Sequence, residues 1–339
     1  MQVHDLSGGD EVLARMTEVA RSALAAYDVS PEADVTLLNV SENATYRVDD
    51  PAQGRRHILR VHRLAYHTPE AIESELAWLD ALREEAGIRT PHVEAASDGR
   101  RVLEVADASG GPARNVVMFE FLPGHEPAED HLVEDFEGLG RITAHMHEHS
   151  RSWARPPGFT RFRWDYDAAF GTEARWGRWR DGMGVGPAEG EVLGRLDETL
   201  RRRLEAFGTG PDRFGLVHAD TRLANLLVDD SHGGREVSVI DFDDSGFSWF
   251  LYDLGTAVSF IEHYPQVPAM VDSWVRGYRQ VRQLPQQDED EIWTFIMFRR
   301  LLLVAWIGSH SAVDIARELG AGYTTGSCEL AESYLSKFA

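Results

Sequence analysis

Apolar residues recur at helical spacing through residues 10–27, where Val12, Met16, Val19, Ala20 and Leu24 share one face. Ser30-Pro31 breaks that pattern, and three strand-like runs follow at residues 35–40, 44–48 and 57–62. Ser41-Glu42-Asn43 and Asp49-Asp50-Pro51 mark the turns between them. Thr68-Pro69 reads as an N-cap followed by proline at the first helical position, and predicts a helix running to about Ala86. Residues 101–105 and 115–121 read as two further strands, ended by Leu122-Pro123-Gly124. Beyond Gly124 the period lengthens. Residues 132–147 and 191–207 are amphipathic, short β runs interrupt near 214–217, 226–228 and 237–240, and helices are expected from Trp249 to the end. Residues 150–186 form a long aromatic, Arg-rich stretch with Trp153, Trp164, Trp176 and Trp179. The expected class is α+β, with a β-rich part at residues 1–122 and a mainly helical part at 123–339.

Composition narrows the setting. The chain has 339 residues and 43% hydrophobic content, enough for a sizeable core. No uninterrupted apolar run reaches the roughly 18 residues of a membrane span, and the first residues carry no secretory pattern. With one cysteine, Cys328, no internal disulfide forms, and a reducing cytoplasmic setting is expected. The net charge of -22 argues against nucleic acid as a partner; it reads first as an acidic, solvated surface, and it would also favour a cationic substrate. Lysine occurs once, at Lys337, so 33 of the 34 basic residues are arginine. Any cation needed elsewhere must therefore be Arg or His.

The densest chemical signal is the segment from Gly215 to Val228, which contains His218-Ala219-Asp220 and, after four residues, Asn225. Further on, the run Val237-Ser238-Val239-Ile240 ends in Asp241-Phe242-Asp243-Asp244. A carboxylate, an amide oxygen and a second carboxylate at a strand end are the groups phosphoryl transfer needs. One orients the acceptor hydroxyl and takes its proton, and two hold a hard cation on the phosphates.

These motifs resemble the catalytic loop and metal motif of the aminoglycoside phosphotransferase and choline kinase superfamily, which includes type II homoserine kinases and hydroxylysine kinase-like enzymes. The resemblance covers about residues 30–300 and implies a protein-kinase-like two-lobe fold: an N-lobe antiparallel sheet with a helix, and a mainly helical C-lobe. It makes Asp220 the catalytic base, Asn225 and Asp241 ligands of Mg2+, and ATP the phosphate donor. It also makes His218 a structural member of the loop and Asp253, in Trp249-Phe250-Leu251-Tyr252-Asp253-Leu254, a brace for it.

The superfamily pattern also calls for a cation on the third strand, paired with a carboxylate on the next helix. Arg60 stands where lysine is usual. On the helix Ile72, Leu76, Leu79 and Leu82 form the apolar stripe, and of the nearby acids only Glu75 falls inside it. A carboxylate on a buried stripe calls for a cation, so Arg60 and Glu75 are expected to pair. Ser41, Asn43 and Thr45 in the first hairpin are candidate phosphate contacts, and the backbone around Glu120 and Leu122 resembles the adenine-binding hinge. Asp243, Asp244, Trp249, Glu262 and His263 are candidate acceptor contacts, acidic and aromatic groups suiting an ammonium. His145 and His147 read as structural. The expected activity is transfer of a γ-phosphate to a hydroxyl of a small, amine-bearing acceptor, with no membrane or nucleic-acid partner. A bacterial stress-type protein Ser/Thr kinase and a nucleotide-binding pseudokinase stay open as alternatives, as do the acceptor's identity, ATP against GTP, and the oligomeric state.

Overall fold

The computed structural model describes residues 9–40, 43–231, 235–311 and 313–339. Contacts divide the chain into two units: Met1–Ala81 with Thr90–Pro123 and Arg155–Thr160, and Leu82–Arg89 with Gly124–Ala154 and Arg161–Ala339.

The first unit is built on an antiparallel sheet. After helix α1 (Gly9–Ala23) come β1 (Asp34–Val40), β2 (Ala44–Asp50) and β3 (Arg55–Val61), then helix α2, which begins at Pro69 and ends at Glu85, and β4 (Val93–Glu94), β5 (Leu103–Val105) and β6 (Arg114–Glu120). The spatial order is β1-β2-β3-β6-β4, with β5 also on β6. One face is apolar: Ala44, Tyr46 and Val48 of β2, Leu59 and Val61 of β3, and Val116 and Met118 of β6 pack with Val12, Met16, Val19 and Ala20 of α1. Thr45, Arg60 and Val117 are register partners and share the opposite face. Thr68 caps α2 as expected, its Oγ1 accepting from the Ala71 N–H at 3.3 Å. The two-residue β4 was not foreseen, since so short a run carries no periodicity.

The second unit is mainly helical. It holds α3 (Leu132–Ser152), β7 (Phe162–Arg163), α4 (Tyr166–Phe170), α5 (Pro187–Phe207), β8 (Phe214–Val217), β9 (Leu226–Asp229), β10 (Glu236–Val239) and β11 (Gly246–Trp249). The helices α6 (Leu251–Ala257), α7 (Val267–Arg279), α8 (Gln286–Glu289), α9 (Ile292–Ser309) and α10 (Asp314–Phe338) follow. β9 and β10 form a hairpin, while β7, β11 and β8 form a second small sheet. The aromatic stretch 150–186 thus supplies a strand and short helical turns.

Two close helix approaches set the scaffold. A side chain at Gly140 of α3 would meet the Trp274 carbonyl at 2.1 Å, and one at Gly277 of α7 the Glu137 carbonyl at 1.9 Å. These glycines let α3 and α7 touch backbone to backbone. Gly255 does the same for α6 on α9, where a Cβ would lie 2.6 Å from the Phe295 carbonyl. Residues 286–309 include a helix long and apolar enough to cross a membrane, but its residues are buried among the other helices.

Candidate active site

Strand β8 delivers the chain into the loop 218–222, which turns through a left-handed residue, Ala219, at φ 66°. That conformation is unfavourable for alanine and is held from outside. Asp253, fully buried on α6, accepts the Ala219 N–H at 2.7 Å and the His218 N–H at 3.2 Å. Thr221 donates its hydroxyl to the Asp253 carbonyl at 2.6 Å, and its N–H reaches Thr256 Oγ1 at 2.9 Å. His218 Nδ1 accepts the Asp220 N–H at 3.2 Å, and Nε2 donates to the Ile240 carbonyl at 3.1 Å. These bonds fix its tautomer and tie the loop to the end of β10. Asp253 therefore braces the loop, as the sequence suggests.

Behind Asp253 stands His147 of α3, fully buried, its Nε2 3.0 Å from Asp253 Oδ2 and its Nδ1 2.9 Å from the Tyr278 hydroxyl. Burial lowers the His147 pKa below its ordinary value, against the pull of Asp253, and keeps the ring neutral. Arg282 donates to the Tyr278 hydroxyl at 2.7 Å. Burial, partly offset by Arg282, pushes that hydroxyl up to about 12. A run of hydrogen bonds thus joins Arg282, Tyr278, His147 and Asp253 to the loop backbone.

Both Asp220 oxygens are engaged. Oδ1 accepts from Arg299 Nη2 at 2.6 Å; Oδ2 accepts from Asn225 Nδ2 at 2.7 Å and from Arg222 Nε at 3.3 Å. Asn225 Nδ2 also donates to the Asp220 carbonyl at 2.8 Å. Two acceptors fix which end of the amide is nitrogen, so Asn225 Oδ1 points elsewhere. The Ile240 N–H meets the Asn225 carbonyl at 2.9 Å, which brings the next residue, Asp241, beside Asn225. Asp241 is exposed and left-handed, at φ 62°, a conformation aspartate tolerates better than most residues. The amide oxygen of Asn225 and the carboxylate of Asp241, next along the chain from the Ile240–Asn225 backbone bond, are oxygen donors of the kind a hard divalent cation takes while keeping further positions for phosphate and water.

The turn after Asp241 is anchored from the aromatic stretch 150–186, by Arg161 and Trp164. Arg161 donates to the carbonyls of Ser245 at 2.7 Å, Phe242 at 3.3 Å, and Asp243. The Trp164 indole N–H reaches the Asp244 carbonyl at 2.8 Å. Asp244 lies within electrostatic reach of Arg299 and Tyr252. Asp243 is buried.

Two candidate acceptor contacts belong to the core. Trp249 ends strand β11 rather than opening a helix. It is 3% exposed, gives its indole N–H to the Gly208 carbonyl at 2.8 Å, and packs edge-on against Phe214 and Phe298. Glu262 is buried and held by Arg300 at 2.6 Å and the Tyr323 hydroxyl at 3.1 Å. His263 is exposed, edge-on to Tyr264. A cavity of about 410 Å³ in the second unit is lined by Arg89, Arg141, His145, Asp229, Arg235 and Glu236 and includes none of these residues.

In the first unit Arg60 Nη2 meets Glu75 Oε1 at 2.7 Å, with both residues buried. The Arg60 guanidinium also lies 5.1 Å over the Phe119 ring. Thr45 shares its sheet face with Arg60. Asn43 is buried and its Oδ1 accepts the Arg63 N–H at 3.1 Å, so that oxygen ties the first turn to the chain leaving β3. Ser41 lies outside the described residues. Of the two hinge candidates, the Glu120 N–H is taken by the His92 carbonyl at 2.8 Å, and Leu122 is buried.

Arg299, Arg161 and Arg222 are the groups sequence reasoning missed. A signal existed for the first: two adjacent arginines, Arg299-Arg300, inside the apolar run of α9. Buried charges demand partners, and these found Asp220 and Glu262.

The phosphotransferase enzyme family matches residues 34–290. The structure of a microcompartment-associated aminopropanol kinase is 52% identical, covers 94% of this chain and 98% of its own, and superposes with a TM-score of 0.87. Amicoumacin kinase of Bacillus subtilis (strain 168) is 26% identical over 309 residues, 88% of this chain and 86% of the relative. The structure of amicoumacin kinase hAmiN in complex with AMP-PNP, Ca2+ and Ami has a TM-score of 0.76 at 24% identity, covering 95% of this chain and 94% of its own. The last likeness bears on the fold, which is the protein-kinase-like one expected.

Proposed function

The chain belongs to the phosphotransferase enzyme family, and from that premise we propose that it moves the γ-phosphate of Mg2+-ATP onto the hydroxyl of a short amino alcohol of the aminopropanol kind. The observation that carries the chemistry is the junction of the catalytic loop with the β9–β10 hairpin. There Asp220 is bonded at both oxygens, and the Ile240 N–H on the Asn225 carbonyl brings the backbone of Asp241 next to that of Asn225. Asp220 orients the acceptor hydroxyl and receives its proton as the oxygen attacks phosphorus. Asn225 Oδ1 and the Asp241 carboxylate would hold Mg2+, which would supply charge neutralisation on the phosphates. Arg60, anchored by Glu75, takes the place of the lysine usual on this strand, with Thr45 on the same face. The 52% identical aminopropanol kinase supports the acceptor class, and the net charge of -22 favours attraction of a cation. Asp244 is the acceptor-side carboxylate this reading retains. A cytoplasmic enzyme acting on small molecules is the setting that fits.

The test is a transfer screen with purified protein, Mg2+ and ATP or GTP against amino alcohols, aminoglycosides, nucleosides and amino acids. Turnover should be highest with 1-amino-2-propanol or a near homologue. Absence of transfer to every amino alcohol, with robust transfer to another class, would overturn the acceptor assignment.

A further inference from the structure

A short amino alcohol brings two groups to the site that a carboxylate attracts, an ammonium and a hydroxyl, only a few bonds apart. Hydrogen bonds from a charged donor are roughly twice as strong as neutral ones. A bare catalytic carboxylate would therefore capture the ammonium and leave the hydroxyl away from the phosphate. Asp220 is not bare. Arg299 Nη2 lies 2.6 Å from its Oδ1, and the rest of that guanidinium is pinned: Nε to Ser259 Oγ at 3.1 Å and Nη1 to the Tyr252 hydroxyl at 3.1 Å. The Arg299 side chain is 3% exposed, whereas that of Asp220 is 15% exposed. Arg222, which also touches Asp220, is 23% exposed and bonds through Nε at 3.3 Å. Arg299 is the fixed cation of the two, donated by a helix buried on every side.

We propose that Arg299 is a specificity-determining residue: its charge compensates Asp220, so an amine-bearing acceptor offers the carboxylate its hydroxyl and not its ammonium. This rests on the reading of Asp220 as the acceptor-orienting base and of the acceptor as an amino alcohol. Arg299 touches neither phosphate nor acceptor in this account; it acts through Asp220.

The probe is n-propylamine, an ammonium without a hydroxyl, titrated calorimetrically into parent protein and variants. Arg299→Gln removes the charge and keeps an N–H donor only near the Nε position, toward Ser259; Arg299→Met removes both. Each should bind n-propylamine at least tenfold more tightly than the parent, and Arg299→Lys should stay within about threefold of it. Adding Asp220→Asn to Arg299→Gln should abolish the gain, because the captured carboxylate is gone. With 1-amino-2-propanol as acceptor, kcat and KM should fall together in Arg299→Gln, the mark of non-productive binding. Unchanged or weaker propylamine binding in a folded Arg299→Gln, or tightening that survives Asp220→Asn, overturns the proposal. The titration involves no transfer. An active Asp220→Asn single variant would sink the base assignment separately.

Discussion

Two guanidinium–carboxylate pairs, Arg60–Glu75 in the first unit and Arg299–Asp220 in the second, look alike and on the proposed reading work in opposite senses. Arg60 and Glu75 meet at 2.7 Å with side chains 5% and 1% exposed; Arg299 and Asp220 meet at 2.6 Å with side chains 3% and 15% exposed. In the first pair the carboxylate is the more deeply buried partner, locked on the apolar stripe of α2. On the proposed reading the arginine is the working group and Glu75 its anchor. In the second pair the arginine is the more deeply buried partner, and the carboxylate reaches toward solvent. There, on the same reading, Asp220 works and Arg299 holds. On that reading the distances alone do not separate the two roles, and the 15% exposure of Asp220 against 3% for Arg299 is what leaves the carboxylate open to an acceptor.

The sharpest way to break this comparison is at Asp220. Asp220→Ala or Asp220→Asn should lower kcat by about 10²–10⁴-fold, the usual range for loss of a general base. Mg2+-ATP affinity should stay within a few-fold, because a group acting on the acceptor contributes to the transition state and not to nucleotide binding. Calorimetric titration beside steady-state kinetics checks both halves. The next largest effect belongs to the neighbouring donor pair. Asp241→Ala should remove metal-dependent ATP binding, and Asn225→Ala should weaken it less, since the first removes a charge and the second a dipole. Titrations with and without Mg2+ measure the difference, and an Asp241→Ala variant that binds Mg2+-ATP normally would reject the ligand assignment.

How much of this could be read from the sequence depends on whether a residue obeys a period. Glu75 was legible because α2 has one apolar stripe and Glu75 interrupts it. The strands around Arg60 were legible from their turn signals, and the loop around Asp220 from its spacing. Arg299 was hidden because α9 is apolar all round, so no helical face marks where it points. Its partner is also 79 residues away. Trp249 and Glu262 were misplaced for a related reason. Sequence proximity to Asp241 made them look like pocket walls, but β11 turns Trp249 into the aromatic core and Arg300 claims Glu262. Asn43 had turn chemistry, which it satisfies with the Arg63 N–H.

The Arg60–Glu75 pair yields an effect of intermediate size. Arg60→Ala should raise KM for ATP and lower kcat, together costing about 10–100-fold in kcat/KM, the equivalent of a charged hydrogen bond of about 1.5–3 kcal/mol. Glu75→Ala should reproduce part of this, and the double variant should lose less than the sum, as contacting residues do. Arg60→Lys should restore the charge but not the two-pronged geometry, and so recover activity only in part. Additive losses in the cycle would mean that the two residues do not act as one unit on the nucleotide.

A third buried carboxylate sharpens the comparison with the smallest effect. Asp253 is fully buried, but the donors around its carboxylate oxygens are the N–H groups of His218 and Ala219 and the neutral ring of His147. Its cation is replaced by dipoles. Because burial lowers the His147 pKa below its ordinary 6.5, the unfolded chain takes up the proton first as pH falls. Stability contributed by the neutral ring is therefore whole above that value. It declines as pH drops from 6.5 toward the lowered folded-state value, by at most about 1.4 kcal/mol per pH unit for this one group. Replacing it by His147→Gln keeps a donor toward Asp253 and removes the titration. The variant should be less stable than the parent at pH 7.5, by about 1 kcal/mol for an imperfect hydrogen bond, and the gap should narrow as the buffer is taken to pH 5.5. Urea unfolding at the two pH values measures it. A gap that stays constant would show that His147 does not titrate on unfolding in this range, and that Asp253 is held by its backbone donors without help from a neutral imidazole.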